Sequence, residues 1–200
     1  MTSLEPFSGV VLAGGRSRRM SGLDKRWEMV EGKPLLQHAI SALLPWCREV
    51  LVVAGQGEPL VFPEEHIRMV NDRIPAGPLG GLEAGLRAMR SRHAVVVACD
   101  MPFLDGALLQ FLGSLCDGFD AVVPVWEQRP QPLHAVYGAS CLPVLDGLLD
   151  SGVVPALRDL LDRLHVRFVT ASELTWFPDW TRSFMNINTP ADLAAARARP

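Results

Sequence analysis

The sequence predicts an α/β fold, a three-layer sandwich with helices on both faces of a mostly parallel open sheet. Three observations carry this. Short apolar runs alternate with helix-period segments along the chain, as strand–helix units do. Two runs, Val10-Val11-Leu12 and Val95-Val96-Val97, are apolar at consecutive positions, the pattern of a parallel strand covered on both faces. No repeat, low-complexity tract or linker divides the 200 residues, a length that suits one domain.

In order, strands are expected at 9–13, 50–54, 68–70, 94–98, 121–125, 134–137 and 166–170, each a short run of apolar, β-prone residues. Helices are expected at 35–44, 82–90, 107–116, 142–149, 156–164 and 191–198. Pro34 precedes the first helix, and Thr189-Pro190 supplies the last with an N-cap and a proline at its first position. Pro102 stops the fourth strand, and Asp105 is placed to cap the helix that starts near Gly106. The glycine- and proline-rich run 77–81 reads as a loop before the helix at Leu82, and 124–132 reads as a surface loop.

Composition narrows the function. The chain is 48% hydrophobic and 20% charged, as a folded globular protein is. With 19 basic and 22 acidic residues the net charge is −3, which argues against nonspecific nucleic-acid binding. The four cysteines form no C-x-x-C pair and lie near no histidine cluster, so reduced thiols are expected. No leader is evident, and no apolar run approaches the ~18 residues of a membrane helix, so the expected location is cytoplasmic.

Open α/β sheets bind ligands at the carboxyl ends of their strands, and four stretches there carry chemistry. After Ala13 come Gly14 and Gly15, then Arg16, Arg18 and Arg19, then Lys25. Glycines let a backbone approach phosphate, and arginine and lysine pair with it. The stretch lacks the G-K-[ST] of a P-loop and the G-x-G-x-x-G of a dinucleotide site; the alternative is an ordinary turn with a solvated basic face. Asp100 ends the strand at 94–98, where one carboxylate can hold Mg²⁺ against substrate phosphates, or can cap a helix. Asp72 ends another strand, and the 77–81 run either lies along a planar base or simply connects. Asn186 and Asn188 share one side of an extended segment. Their amides suit a heterocycle rich in amides, or serve turn chemistry before the last helix.

Weaker candidates are His38, expected to be structural, and His134, facing a substrate or the core. Trp176 and Trp180 are expected to pack rather than bind. No Ser/His/Asp order or Cys/His pairing suggests a covalent nucleophile.

Together these stretches resemble a known family. LAGGRSRRMSGLDK with Gly32-Lys33-Pro34-Leu35 is similar to the signature of nucleotidyltransferases that activate sugars, isoprenoid precursors and molybdopterin. GPLGG at 77–81, CDMPF at 99–103, RPQPLHAVY at 129–137 and NINTPADL at 186–193 resemble the molybdenum cofactor guanylyltransferases, the MobA family. The resemblance covers 9–193. It implies a Rossmann-like nucleotidyltransferase that joins GMP from GTP to Mo-molybdopterin and releases pyrophosphate. It implies that Leu12, Ala13, Gly14, Gly15, Lys25, Asp72, Pro78, Leu79 and Asp100 bind nucleotide. Asp100 would carry Mg²⁺, Arg19 and Lys25 would join it in catalysis, and Asn186 and Asn188 would bind the second substrate. The nucleotide half is expected at 9–103 and the pterin half at 104–200. Transient contacts with other proteins of molybdenum cofactor biosynthesis, or with recipient molybdoenzymes, are further expected partners. Three other readings remain: a CTP-dependent molybdopterin cytidylyltransferase, a sugar-phosphate nucleotidyltransferase, which the NINTP ending fits less well, and a catalytically silent nucleotide-binding or cofactor-delivery module. In one place the chain departs from the pattern. Related sequences carry asparagine at the end of the second strand, where this chain reads Leu51-Val52-Val53-Ala54-Gly55-Gln56.

Overall fold

The computed structural model describes residues 7–14, 19–20, 23–55, 62, 64–72, 74–150 and 155–198; for Arg19, Met20 and Leu23 it describes the backbone alone. Strand β1 (Phe7–Leu12) is followed by two short ribbons, β2 (Arg19–Met20) with β3 (Leu23–Asp24), and β4 (Met29–Val30) with β5 (Lys33–Pro34). Then come helix α1 (Leu35–Leu43), β6 (Cys47–Ala54), β7 (Ile67–Asn71), α2 (Pro78–Ala88), β8 (His93–Ala98) and α3 (Gly106–Ser114). The remainder is β9 (Ala121–Trp126), β10 (Arg129–Pro130), β11 (His134–Gly138), α4 (Leu142–Leu149), α5 (Leu157–Leu161), β12 (Val166–Val169), α6 (Ala171–Leu174) and α7 (Pro190–Ala198).

Eight strands form one sheet in the order β10-β9-β11-β8-β1-β6-β7, with β12 beside β9. β1 runs parallel to β6 and β8, β6 to β7, and β9 to β12; β11 is antiparallel to β8 and β9. Thus β1, β6, β7, β8 and β9 all end at one edge, and β11 begins there.

Alternation along β1 explains the layers. Val11 packs with Leu36, Ala39, Ile40 and Leu43 of α1 and Leu108, Leu109 and Leu112 of α3. Val10 and Leu12 face the other way, onto Leu79 and Leu82 of α2 and Leu145 and Leu148 of α4. Most of these side chains are fully buried, each worth about 1.5–3 kcal/mol relative to exposure. A third, smaller cluster joins Val30, Leu35, Phe103, Ile187, Leu193 and Ala196, and ties the last helix to the β4–β5 ribbon.

Two expectations are corrected. The run 77–81 is not a loop, because α2 begins at Pro78. Proline suits the first helical position, where no N–H bond is lost. The stretch 124–132 is a hairpin: Val125 and Trp126 of β9 pair with Pro130 and Arg129 of β10. Pro130 is exposed there, where its missing N–H interrupts no buried ladder. The expected caps are present: Asp105 Oδ1 accepts from Ala107 N (2.8 Å) and Leu108 N (3.3 Å), and Thr189 Oγ1 accepts from Asp192 N (3.1 Å). No helix among the described residues is long and apolar enough to cross a membrane.

Candidate active site

Lys25 sits at the start of a 3₁₀ turn, Lys25–Trp27. Asp24 caps that turn by accepting Arg26 N (3.1 Å), and its carboxylate also pairs with the Arg26 guanidinium. This fixes Lys25 with its side chain inward and only 7% exposed. A buried ammonium needs partners, and it has two: Asp100 Oδ2 at 2.9 Å and Asn188 Oδ1 at 3.0 Å.

Asp100 stands two residues past β8. The turn is held by Cys99 N donating to Leu12 O (3.1 Å) and by the Asp100 carbonyl accepting Ile187 N (2.9 Å). One carboxylate oxygen is taken by Lys25. The other, Oδ1, is buried and has no hydrogen-bond partner. An acceptor oxygen in that state suits a hard cation. No group of three or more His, Cys, Asp or Glu that could cage a metal exists among the described residues. One carboxylate plus substrate oxygens is the manner of Mg²⁺ rather than of zinc, so the residues present fit a divalent ion brought with a polyphosphate.

Along 186–188 the expected alternation holds. Asn186 and Asn188 are exposed and Ile187 is buried in the small cluster. Asp192 Oδ2 accepts Asn188 N (2.9 Å) and Thr189 N (2.8 Å), which with the Thr189 cap makes a reciprocal box at the start of α7. These N–H groups, Asn188 first, hold the Asp192 carboxyl below its usual range. The pattern Thr-x-x-Asp was readable in the sequence, yet Asp192 was not anticipated.

The remaining candidates lie around β1, β6 and β7. Ala13 N donates to Val53 O (2.8 Å), and Asp72 N to Ala54 O (2.9 Å). The Asp72 side chain accepts Ile74 N (3.0 Å). Its Oδ1 also lies where a Cβ on Gly80 would come within 2.9 Å, so Asp72 abuts the first turn of α2, next to Leu79. That turn is the positive end of the helix dipole, where the first N–H groups have no acceptor within the helix. Gly77, its cap, has φ +62°, a conformation that favours glycine. No asparagine ends β6, but one stands beside it: Asn71, exposed at the end of β7, is the register partner of Ala54. A groove of about 640 Å³ runs between β7 and α2, lined by Asn71, Ile74, Glu83 and Arg87 among others; neither Lys25 nor Asp100 lines it. Gly15, Arg16, Arg18 and Gln56 lie outside the described residues, as does the Arg19 side chain.

Among the described residues, the cysteines nearest this site are not activated as nucleophiles. Burial, aided by Asp100, pushes the Cys99 thiol up to about 12, and burial does the same to Cys47, so both stay neutral at physiological pH. His38 is structural, its Nε2 lying 2.7 Å from Val30 O.

An ionic site at the carboxyl edge of a mostly parallel, helix-covered sheet has the character of a nucleotidyltransferase of the Rossmann-like class. The family model of the MobA-like NTP transferase domain matches residues 9–167, and the chain belongs to that family. It is 37% identical over 196 residues to a Methanosarcina mazei protein named "Probable molybdenum cofactor guanylyltransferase", covering 93% of this chain and 88% of that one. It is 31% identical to the molybdenum cofactor guanylyltransferase of Desulfosudis oleivorans, covering 98% and 96%. Among solved structures it resembles molybdopterin-guanine dinucleotide biosynthesis protein A from Archaeoglobus fulgidus, with TM-score 0.80, 30% identity and coverage of 96% and 97%.

Proposed function

We propose that this protein transfers GMP from GTP to the molybdopterin cofactor, giving the guanine dinucleotide form and pyrophosphate. The observation that carries the reading is the junction at Lys25, where one ammonium bonds Asp100, in the half read as nucleotide-binding, and Asn188, in the half read as pterin-binding. Relatives of nearly the same length named molybdenum cofactor guanylyltransferase support GTP and molybdopterin as the substrates.

The chemistry asks little covalent work of the protein. An oxygen of the molybdopterin phosphate bonds the α-phosphorus of GTP, and the bond from that phosphorus to the β-phosphate bridging oxygen breaks, releasing pyrophosphate. The attacking oxygen is already anionic near pH 7, so no general base is needed. Catalysis is positioning and charge neutralisation. Leu12, Ala13, Gly14 and Gly15 offer backbone to the nucleotide, and Asp72, Pro78 and Leu79 flank its base. Lys25, with Arg19, offsets charge on the departing pyrophosphate, and Arg16 and Arg18 attract anions to the edge. Asn186 and Asn188 orient the pterin substrate. A divalent cation, Mg²⁺ in this reading, held by Asp100, supplies further neutralisation of phosphate charge. The cytoplasm, where GTP and Mg²⁺ are both at hand, is the compartment this reading assigns.

The test is pyrophosphate release from GTP, CTP, ATP and UTP in turn, with molybdopterin and Mg²⁺. Release with GTP alone is expected. Preference for CTP would overturn the guanine assignment, and GTP binding without release would make the protein a silent module.

A further inference from the structure

We propose that His134 is a positioning residue for this transfer: its buried ring seats Phe184, and Phe184 sets the strap that carries Asn188 to Lys25 and Asp100. The inference rests on the guanylyl-transfer reading above.

His134 opens β11 and pairs with Val97 of β8, the strand that runs on to Asp100. It is 0% exposed; neither ring nitrogen makes a hydrogen bond of good geometry, and the polar group that acts on the ring is the backbone of Ser183, in the strap itself. Burial holds the imidazole down at about 3, offset in part by the backbone of Ser183, so the ring is neutral throughout the physiological range. Buried ring nitrogens without well-formed hydrogen bonds cost stability. For packing alone, an apolar side chain would serve this position better.

The ring lies 4.4 Å from that of Phe184, centroid to centroid. Phe184 also stacks on Trp126 at the end of β9 (5.9 Å) and meets Trp180 edge-on (5.8 Å). It ends a 3₁₀ turn, Trp180–Phe184, whose Ser183 Oγ accepts Asp105 N (3.0 Å). Three residues on, Ile187 N reaches the Asp100 carbonyl, and the next residue is Asn188. The strap is therefore pinned at the aromatic seat and at Asp100, with Asn188 just beyond. The polar ring sits under the first of these pins. A displacement of about 1 Å of a positioning group can cost up to ~10²-fold in rate.

The experiment compares His134→Leu and His134→Asn with the wild type in GMP transfer, thermal denaturation and amide hydrogen exchange of the 185–188 segment. Leu is expected to leave Tm unchanged or higher, because two buried nitrogens without a well-formed hydrogen bond are gone, whereas the polar contact with the Ser183 backbone is lost. It should nonetheless lower kcat about tenfold or more with KM for GTP unchanged, and speed exchange at Ile187. Asn, planar and polar, is expected to keep most of kcat. Unchanged kcat and exchange in His134→Leu would overturn the proposal. So would a kcat loss that tracks a fall in Tm, or an Asn variant no better than Leu, since either makes His134 a packing residue only. If wild-type protein transfers no GMP, the functional reading itself fails, a result distinct from any of these.

Discussion

The Nζ of Lys25 lies 2.9 Å from Oδ2 of Asp100, although 75 residues separate them, and the pair is mostly shielded from water. The cation that would meet the triphosphate is thus parked on the carboxylate that would hold the metal. Asp100 keeps one further oxygen, the unpartnered Oδ1, where a metal would bind without displacing Lys25 from Oδ2. Lys25→Ala and Asp100→Ala are each expected to lower kcat by roughly 10²–10³, about 3–4 kcal/mol, the cost of removing one preorganised electrostatic group. Pre-steady-state GMP transfer with folded variants checks this. Near-normal turnover in Asp100→Ala would remove the metal from this residue.

Asn188 should behave differently. It accepts one hydrogen bond from a charged donor, worth about 1.5–3 kcal/mol, and Lys25 keeps Asp100 when it is lost. Asn188→Ala is expected to lower kcat about tenfold or more, with KM for GTP little changed. Asp192→Ala is expected to move kcat the same way, because Asp192 holds the Asn188 and Thr189 N–H groups in place. The carboxyl of Asp192 is held low, so the box is intact above the ordinary carboxylate range and is lost as pH falls through the lowered value. Wild-type kcat should therefore lose a component on the acid side that Asp192→Ala has already lost. Superimposable pH–rate profiles for the two proteins would refute this.

The layers were legible in the sequence because Val10-Val11-Leu12 and Val95-Val96-Val97 leave no polar face for solvent. The edge at which Asp72 and Asp100 sit followed from the direction of those strands. The start of α2 was not legible. Gly80 and Gly81 are poor helix formers, and only the close approach of Ile74 and Leu12 explains them. The junction at Lys25 was hidden for another reason: Asn188 lies 163 residues away, and no local pattern announces such a meeting. The Asn188 amide was expected on the second substrate alone, whereas its oxygen serves Lys25.

Gly80 gives a sharp test of the α2 start. A Cβ there would lie 2.1 Å from the Ile74 carbonyl oxygen and 2.9 Å from Asp72 Oδ1. Gly80→Ala must push the 72–76 connection away from the helix, at a cost of about 1–3 kcal/mol or more. Tm should fall and GTP affinity should weaken, both measurable by calorimetry. Gly147, inside α4 with open space around it, is the control: Gly147→Ala is expected to stabilise by about 0.5–1 kcal/mol and leave GTP binding alone. If Gly80→Ala binds GTP as the wild type does, the α2 turn takes no part in the nucleotide site.

Glu49 separates stability from activity. Its carboxylate, 3% exposed near the start of β6, accepts from Ser8 Oγ (2.9 Å), Arg68 Nη2 (2.6 Å) and Arg90 N (2.7 Å). Burial pushes its carboxyl up, but the bonds from Arg68, Arg90 and Ser8 outweigh burial and hold it below the usual carboxylate range. A lowered carboxyl contributes stability that is complete above the unfolded value and vanishes as pH falls through the folded one. Glu49→Gln keeps the shape and removes the charge. Its unfolding free energy should drop by about 1–3 kcal/mol at pH 7, since Arg68 is part-exposed and keeps some hydration. Below about pH 5 the variant's stability should fall less steeply than that of the wild type, because one proton uptake on unfolding is gone. β6 carries this residue at the end opposite Ala54, so GMP transfer by the folded variant should be unchanged. A denaturant series at several pH values reads the first effect, and the transfer assay at pH 7 reads the second. Parallel pH curves would show that Glu49 contributes nothing to acid sensitivity, and a fall in kcat would connect the far end of the sheet to the site.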